Sequence, residues 1–202
     1  MDQWAESGSL EFHTDGALGS VEPFPHLAMP AILSREAADY VLGWLKTSAP
    51  WRLRVESFYE QYEFSLISED NSVAARALTR RPLIEVLQRL IRDHFDIRGE
   101  LTLVDVSAHK LTPGQTIRIH NDSIEGEETH RVLIQLNGGW STANGGLLML
   151  FGSQAPEDVR AVIEPSHGSG FAFEISERSF HAVSTIKGGE RFTLVYTFRD
   201  GG

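Results

Sequence analysis

The stretch from Gln115 to Asp122 reads Gln-Thr-Ile-Arg-Ile-His-Asn-Asp and places His120 and Asp122 two positions apart. Residues i and i+2 of a β-strand project from the same face, so we expect this imidazole and this carboxylate to lie side by side. Far downstream, the stretch Ser-Phe-His-Ala-Val-Ser contains another candidate, His181. Two histidines and one carboxylate can occupy one face of an octahedral metal and leave the other face open, which suits non-haem Fe(II) and dioxygen.

The composition is that of an ordinary globular chain. Of its 202 residues, 41% are apolar and 23% are charged, which are usual values. The formal net charge of −10 argues against a nucleic-acid partner, because such partners select clustered Lys and Arg. The absence of cysteine excludes disulfides, thiolate nucleophiles and Cys-ligated zinc or iron–sulfur clusters. We find neither a bilayer-length apolar run nor a signal peptide, so we expect a cytoplasmic protein with no membrane partner.

The first half of the chain predicts helices that support a sheet. Residues 1–22, rich in Gly, Ser and acidic residues, are expected to form a tail or an irregular edge segment. Ser34 is suited to cap a helix, and apolar residues at helical spacing predict that helix over Arg35–Thr47. A second helix is predicted to start near Arg81. Between them, the pattern from Trp51 to Ile67 predicts strands.

Short β-rich runs follow one another after Gly99, separated by Gly- and Pro-containing turns. About eight runs at this spacing predict a double-sheet jelly roll, also called a double-stranded β-helix. The predicted strands are Leu101–Lys110, Gln115–His120, His130–Leu136, Leu147–Phe151, Arg160–Ile163, Phe171–Ile175, Phe180–Ser184 and Arg191–Phe198. We therefore expect one mainly β domain over residues 1–202, with helical support in residues 23–99 and a jelly-roll core in residues 100–200.

A charged residue opens the last predicted strand. Arg191 precedes the run Phe-Thr-Leu-Val-Tyr and lies ten positions after His181. A buried arginine is costly unless it pairs with an anion, and Thr193 shares its strand face by alternation. An inward guanidinium beside a hydroxyl suits a carboxylate ligand. The alternatives are a salt bridge to an internal Asp or Glu, or exposure to solvent.

The order His-X-Asp, a long gap, a second His and then Arg ten positions later resembles the Fe(II)/2-oxoglutarate-dependent oxygenases. Within them the chain is most similar to the prolyl 4-hydroxylase-like branch. The resemblance covers most of the chain, because it extends to the opening Pro-Phe-Pro-His-Leu, to the Leu-Thr-Pro-Gly-Gln-Thr-Ile-Arg-Ile-His run that ends at His120, to Asn-Gly-Gly-Leu-Leu-Met-Leu and to Pro-Ser-His-Gly-Ser-Gly-Phe-Ala-Phe.

This resemblance implies a dioxygenase that hydroxylates an unactivated C–H bond of an amino acid or peptidyl residue, with proline as one candidate, and releases succinate and CO2. The implied metal is Fe(II), held by His120, Asp122 and His181. The implied co-substrates are 2-oxoglutarate and O2, with ascorbate as a stimulating reductant, and the far carboxylate of 2-oxoglutarate is assigned to Arg191 and Thr193. Because Asp122 is retained, hydroxylation is favoured over halogenation, for which related enzymes replace that carboxylate by a small residue.

One position departs from the family. Many relatives carry a tyrosine on the strand before the first metal ligand, where its phenol helps to bind 2-oxoglutarate, and Leu111 stands at the corresponding position. His109 shares a strand face with Leu111 and is the first candidate to replace that phenol. Gln135 and Lys110 are weaker candidates. The alternative for His109 is an ordinary strand residue.

The prime substrate is an amino acid, a peptide or another small molecule in this interpretation. Arg118 and Arg131 flank the metal ligands and are candidates either to bind a substrate carboxylate or to pair with nearby glutamates. Trp140 is a candidate for the rim of the site or for simple packing. The acidic loop from Ser123 to Thr129 is either a lid over the site or a solvated loop.

Two other functions stay open at this point. The first is a non-catalytic jelly-roll binding module, which predicts no tight site for Fe(II) or 2-oxoglutarate. The second is a cupin-like metalloenzyme that does not use 2-oxoglutarate, in which Arg191 has no role in co-substrate binding.

Overall fold

A computed structural model describes residues 10–68, 72–124 and 128–202. Outside these described residues lie residues 1–9 of the predicted tail, residues 69–71 of the turn that the sequence predicts at residues 69–72, and Glu125 and Glu127 of the loop predicted as either a lid or a solvated loop. Within the described residues, the helices are α1 (Arg35–Thr47), α2 (Val73–Leu78) and α3 (Arg81–His94), with a 3-10 turn at Thr142–Asn144.

The described strands form two sheets. The strands are β1 (Leu18–Ser20), β2 (His26–Met29), β3 (Arg52–Val55), β4 (Glu60–Ser65), β5 (Leu101–Leu111), β6 (Ile117–His120), β7 (His130–Gln135), β8 (Leu148–Phe151), β9 (Val159–Ile163), β10 (Gly170–Glu174), β11 (His181–Val183) and β12 (Arg191–Asp200). The large sheet has the order β1-β2-β10-β7-β12-β5-β4-β3, and the small sheet has the order β6-β11-β8-β9. Each of the eight strands predicted after Gly99 is present, and the predicted jelly-roll fold is confirmed.

Local sequence explains the helix boundaries. The Ser34 side chain accepts a hydrogen bond from the Ala37 amide at 3.2 Å, which satisfies one free donor at the start of α1. Pro82 lies in the first turn of α3, where a missing N–H costs nothing. Both predicted helices are therefore confirmed.

The large sheet separates two apolar layers. One face packs on the helices, and β12 contributes Phe192, Leu194, Tyr196 and Phe198 to that layer. The other face meets the small sheet in a second cluster, which includes Leu111 and Phe173 from the large sheet and Leu148, Leu150 and Val183 from the small one. Because neighbouring residues of a strand face opposite ways, the odd-numbered residues at the start of β12 are directed between the sheets.

The segment between α1 and α2 differs from its prediction. The sequence predicts strands throughout Trp51–Ile67, but residues 56–59 leave the ladder between β3 and β4. Tyr59 instead makes an isolated bridge to Ile117 on β6, so this connection joins the edge of the large sheet to the small sheet. Near the start of the described chain, Leu10 and Phe12 are buried in the helix-facing core.

No helix in the described part of the chain has the length and apolar character required to span a bilayer.

Replacing His130 with asparagine is expected to flatten the pH dependence of stability. Burial lowers the pKa of His130 to about 4, below its unfolded value, so the folded state binds fewer protons between the two values. Its contribution to the free energy of unfolding is therefore lost as pH falls from about 6.5 towards 4, by at most about 1.4 kcal/mol per pH unit. Urea unfolding across this range measures the slope.

Asparagine can keep a hydrogen bond to Thr129 Oγ1, which lies 2.9 Å from Nδ1 of His130. The loss of ring packing against Phe95 lowers the stability of the variant at every pH, so only the slope is diagnostic. An unchanged slope would contradict a neutral, buried His130.

Candidate metal centre

Strand pairing brings the two predicted histidine ligands together. Strands β6 and β11 are antiparallel neighbours in the small sheet, and His120 lies directly opposite His181. Their ring centroids are 4.3 Å apart. This one strand pairing therefore brings together two histidines that are far apart in the sequence.

Asp122 completes the cluster from outside the strand. It follows the end of β6 with a backbone φ of 59°, a conformation that aspartate adopts more readily than most residues. Its Oδ1 lies 3.2 Å from Nε2 of His120, and its Oδ2 lies 3.3 Å from Nε2 of His181. One potential ligand atom from each of the three residues lies within 4.8 Å of the others.

Hydrogen bonds to the backbone decide which ring nitrogens can bind a metal. Nδ1 of His120 lies 2.8 Å from the Arg118 carbonyl, and Nδ1 of His181 lies 2.7 Å from the Ser179 carbonyl. A carbonyl oxygen only accepts, so both Nδ1 atoms donate. The Nε2 atom of each neutral ring then carries the free lone pair, as outer-shell bonds commonly arrange for metal-ligating histidines.

An arginine holds the carboxylate of the cluster. Arg131 Nη1 donates to Asp122 Oδ2 at 2.6 Å. Burial favours a neutral Asp122, but the charge of Arg131 and the two neighbouring imidazoles hold the pKa of this carboxyl well below its usual range. Asp122 is therefore ionised at neutral pH, as a metal ligand must be.

A cavity of about 570 Å³ extends from this cluster between the two sheets. Its walls include the three clustered residues, the inward side of β12 and the β3–β4 hairpin. The lining residues also include Phe58, Gln61, Glu63, His109, Arg131, Arg191 and Thr193.

Arg191 lies inside this cavity without an acidic partner among the described residues. Its side chain donates to Thr193 Oγ1 at 2.7 Å and to the Gly146 carbonyl at 2.9 Å, and Arg191 as a whole is 5% exposed. Thr193 Oγ1 donates in turn to Gln135 Oε1 at 3.0 Å. Burial lowers the pKa of Arg191 to about 10, because no acidic group among the described residues offsets the loss of water around its charge.

His109 lies beside these groups on the next strand. It is paired in register with Thr193, and it contacts Gln61 Nε2 and Ser107 Oγ through its two ring nitrogens. Burial lowers the pKa of His109 to about 3, so its ring is neutral. Lys110 is directed to the opposite face, where its ammonium group lies over the rings of Trp51 and Tyr62, which excludes it from the cavity wall.

The donor set fits a divalent metal with a dicarboxylate beside it. Two neutral imidazoles and one carboxylate supply one face of a metal site. The uncompensated guanidinium of Arg191 supplies a site for an anion in the same cavity. Fe(II) and 2-oxoglutarate together satisfy both requirements.

Two of the residues predicted to bind substrate do not line the cavity. The guanidinium of Arg118 donates to the Ser57 carbonyl, and Trp140 packs in the inter-sheet cluster while its Nε1 donates to the Gly145 carbonyl at 3.0 Å. For Trp140, the packing alternative therefore applies. Arg131 does line the cavity, but it pairs with Glu128 as well as Asp122.

The β3–β4 hairpin forms a wall of the cavity that the sequence does not predict. Phe58 stacks on His120 with ring centroids 4.5 Å apart. Gln61 donates to Glu63 at 2.6 Å, and both side chains line the cavity. The alternation along β4 was the only available signal, and it does not reveal which face of the strand meets a site.

Residues 106–199 match the family model of the 2OG-Fe(II) oxygenase superfamily. This segment contains all three clustered residues together with Arg191 and Thr193. The match confirms the resemblance and the predicted enzyme class, and with that class come Fe(II), 2-oxoglutarate and O2.

Solved structures share the fold at low identity. A prolyl-4-hydroxylase from Pseudomonas putida is 19% identical with a TM-score of 0.65, over 88% of this chain and 93% of that one. A Trichoplax adhaerens prolyl hydroxylase, solved with a peptide fragment of the hypoxia inducible factor oxygen degradation domain, is 14% identical with a TM-score of 0.70, over 87% and 83%. A viral collagen prolyl hydroxylase from Paramecium Bursaria Chlorella virus-1, solved with 2OG, is 15% identical with a TM-score of 0.61, over 86% and 95%.

Proposed function

Starting from this 2OG-Fe(II) oxygenase resemblance, we propose that the protein hydroxylates a C–H bond of an amino acid or peptidyl residue, with proline as the first candidate. In the balanced reaction, substrate C–H, O2 and 2-oxoglutarate give substrate C–OH, succinate and CO2. The observation that carries the proposal is the placement of Arg191, a buried cation without an acidic partner among the described residues, in one cavity with the His120–Asp122–His181 cluster.

Each of these side chains has a separate role in the proposal. His120, Asp122 and His181 hold the metal through two Nε2 atoms and one carboxylate. Arg191 and Thr193 bind the far carboxylate of 2-oxoglutarate. When bound, Fe(II) with 2-oxoglutarate supplies oxygen activation that is coupled to the decarboxylation of the co-substrate.

Neighbouring polar groups are proposed to orient those ligands. Gln135 accepts from Thr193, which fixes the hydroxyl beside the guanidinium of Arg191. His109, neutral and next to Thr193, is proposed as the second polar contact for 2-oxoglutarate in place of the family's tyrosine. Burial of these side chains keeps water away from the anion, which strengthens its attraction to Arg191.

A peptide is the proposed class of prime substrate. The proposal rests on the prolyl hydroxylases that share the fold, one of which was solved with a peptide. The cavity continues past the metal cluster to the β3–β4 hairpin and to Ser123 and Ile124, which leaves space beyond the co-substrate position. A lid role for the loop that follows Asp122 stays a prediction.

We also propose that residues 1–202 form one domain, with helical support in residues 23–99 and the jelly-roll core in residues 100–200. In support, β3 and β4 of the first segment extend the large sheet, where β4 pairs with β5. The helices and the sheet share one apolar cluster.

The proposal is tested by a thermal shift. Mn(II) together with 2-oxoglutarate is expected to raise the melting temperature of the wild-type protein, because ligands that bind only the folded state stabilise it. His181→Ala is expected to lose this shift, whereas the exposed His13→Ala should retain it. Absence of any shift in the wild type would favour the non-catalytic binding module.

Mass spectrometry then identifies the product. Proline and proline-containing peptides are incubated with Fe(II), 2-oxoglutarate and ascorbate under air, and a gain of one oxygen atom that requires His181 supports hydroxylation. Oxidation of the substrate without a requirement for 2-oxoglutarate would instead indicate the cupin-like alternative.

A further inference from the structure

The backbone at Asp122 does not by itself fix the direction of this carboxylate. Asp122 lies beyond the last residue of β6, so no strand ladder restrains it. His120 and His181, by contrast, are both strand residues whose rings are held by backbone carbonyls. The orientation of the carboxylate must therefore depend on contacts of its own side chain.

Arg131 provides that contact from a rigid position. It lies on β7, a central strand of the large sheet, where it pairs with Phe173 on one side and Thr197 on the other. Its Nη1 donates to Asp122 Oδ2 at 2.6 Å. Only 7% of the Asp122 side chain and 23% of the Arg131 side chain are exposed, so water hardly competes for this bond.

Glu128 holds the other edge of the same guanidinium. Nε and Nη2 of Arg131 donate to Glu128 Oε2 at 3.0 and 2.5 Å. These two hydrogen bonds fix the orientation of the guanidinium plane. The negative charge of Glu128 also offsets the positive charge of Arg131. A bound cation would meet a nearly neutral Glu128–Arg131 pair rather than a bare positive charge.

We propose that Arg131, clamped by Glu128, is a positioning residue that directs the carboxylate of Asp122 towards His120 and His181. This inference rests on the metal site of the proposed function. It assigns Arg131 to the metal ligand rather than to a substrate carboxylate, because its donors on both edges are already engaged within the protein.

The test removes the Glu128–Arg131 ion pair without changing the net charge of the site. The double variant Arg131→Met/Glu128→Gln removes one positive and one negative charge together. Mn(II) binding is measured from the signal of free Mn(II) in electron paramagnetic resonance, without 2-oxoglutarate or O2. We expect the dissociation constant to rise about 10- to 100-fold, the usual cost of losing an outer-shell partner of a metal ligand.

Two further variants separate orientation from general damage. Arg131→Lys keeps a cationic donor and is expected to recover part of the affinity. Arg160→Met removes the arginine of an Arg160–Asp158 pair away from the cavity and should leave the dissociation constant unchanged. Thermal unfolding of the metal-free proteins shows whether each variant folds.

An unchanged Mn(II) dissociation constant in the double variant, with a raised KM for the peptide, would overturn the inference and make Arg131 a substrate contact. If the double variant does not fold, Glu128→Gln takes its place. That single change leaves Asp122 as the ion-pair partner of Arg131 and no longer fixes the plane of the guanidinium, so unchanged Mn(II) affinity would again overturn the inference. Failure of the wild type to bind Mn(II) would overturn the proposed function as well, which distinguishes the two.

Discussion

The Asp122→Asn variant is expected to lose at least about a thousandfold in 2-oxoglutarate turnover, because a ligand contributes more than the outer-shell partners whose loss costs 10- to 100-fold. The amide keeps the shape of the side chain but removes the charge that attracts a metal ion. It also leaves Arg131 with Glu128 as its remaining ion-pair partner among the described residues. Succinate release, measured with saturating peptide and 2-oxoglutarate, gives the loss directly.

The matched control for this change is Asp158→Asn. Asp158 also pairs with an arginine, at 2.6 Å from Arg160, but it does not line the cavity. We expect normal succinate release from this variant. Wild-type turnover by Asp122→Asn would contradict the assignment of Asp122 as a ligand and leave the two histidines without a carboxylate partner.

The strands of the jelly roll were predictable because turn residues mark their ends. Glycine and proline interrupt the apolar runs after Gly99, so each run could be assigned to one strand. The pairing of those strands was not predictable in the same way. Nothing local to His120 or His181 shows that β6 and β11 are neighbours, because register is decided by long-range packing.

Part of the site was predictable from the spacing of its residues. Arg191 and Thr193 are two positions apart on β12, so alternation places them on one face. His120 and Asp122 have the same spacing and also lie side by side, but Asp122 does so from beyond the end of β6, through its backbone φ of 59°. The hairpin wall was missed, because Gln61 and Glu63 are equally compatible with a solvated strand face. The contact between Arg131 and Asp122 was also unpredictable. From the sequence alone, Arg131 could equally bind a substrate carboxylate or pair with a nearby glutamate.

Arg191→Met is expected to raise the KM for 2-oxoglutarate by about 100- to 4,000-fold. Removing one partner of a buried ion pair typically costs 3–5 kcal/mol, and each 1.4 kcal/mol is tenfold in affinity. The same change should leave the ligand-free protein equally stable or more stable. Burial already disfavours the charge of Arg191, lowering its pKa to about 10, and methionine fills similar space without a charge to desolvate.

The variant is expected to bind 2-oxoglutarate more weakly but to be no less stable without ligand, and this combination distinguishes an anion site from a packing role. A side chain needed mainly for packing would lower the melting temperature of the ligand-free protein and 2-oxoglutarate affinity together, whereas an anion site would lower affinity alone. Mn(II) binding without 2-oxoglutarate should be unchanged, because the side chain of Arg191 donates to Thr193 Oγ1 and to the Gly146 carbonyl rather than to the metal cluster. Arg160→Met serves again as the control. Unchanged 2-oxoglutarate affinity in Arg191→Met would show that the buried guanidinium serves another anion.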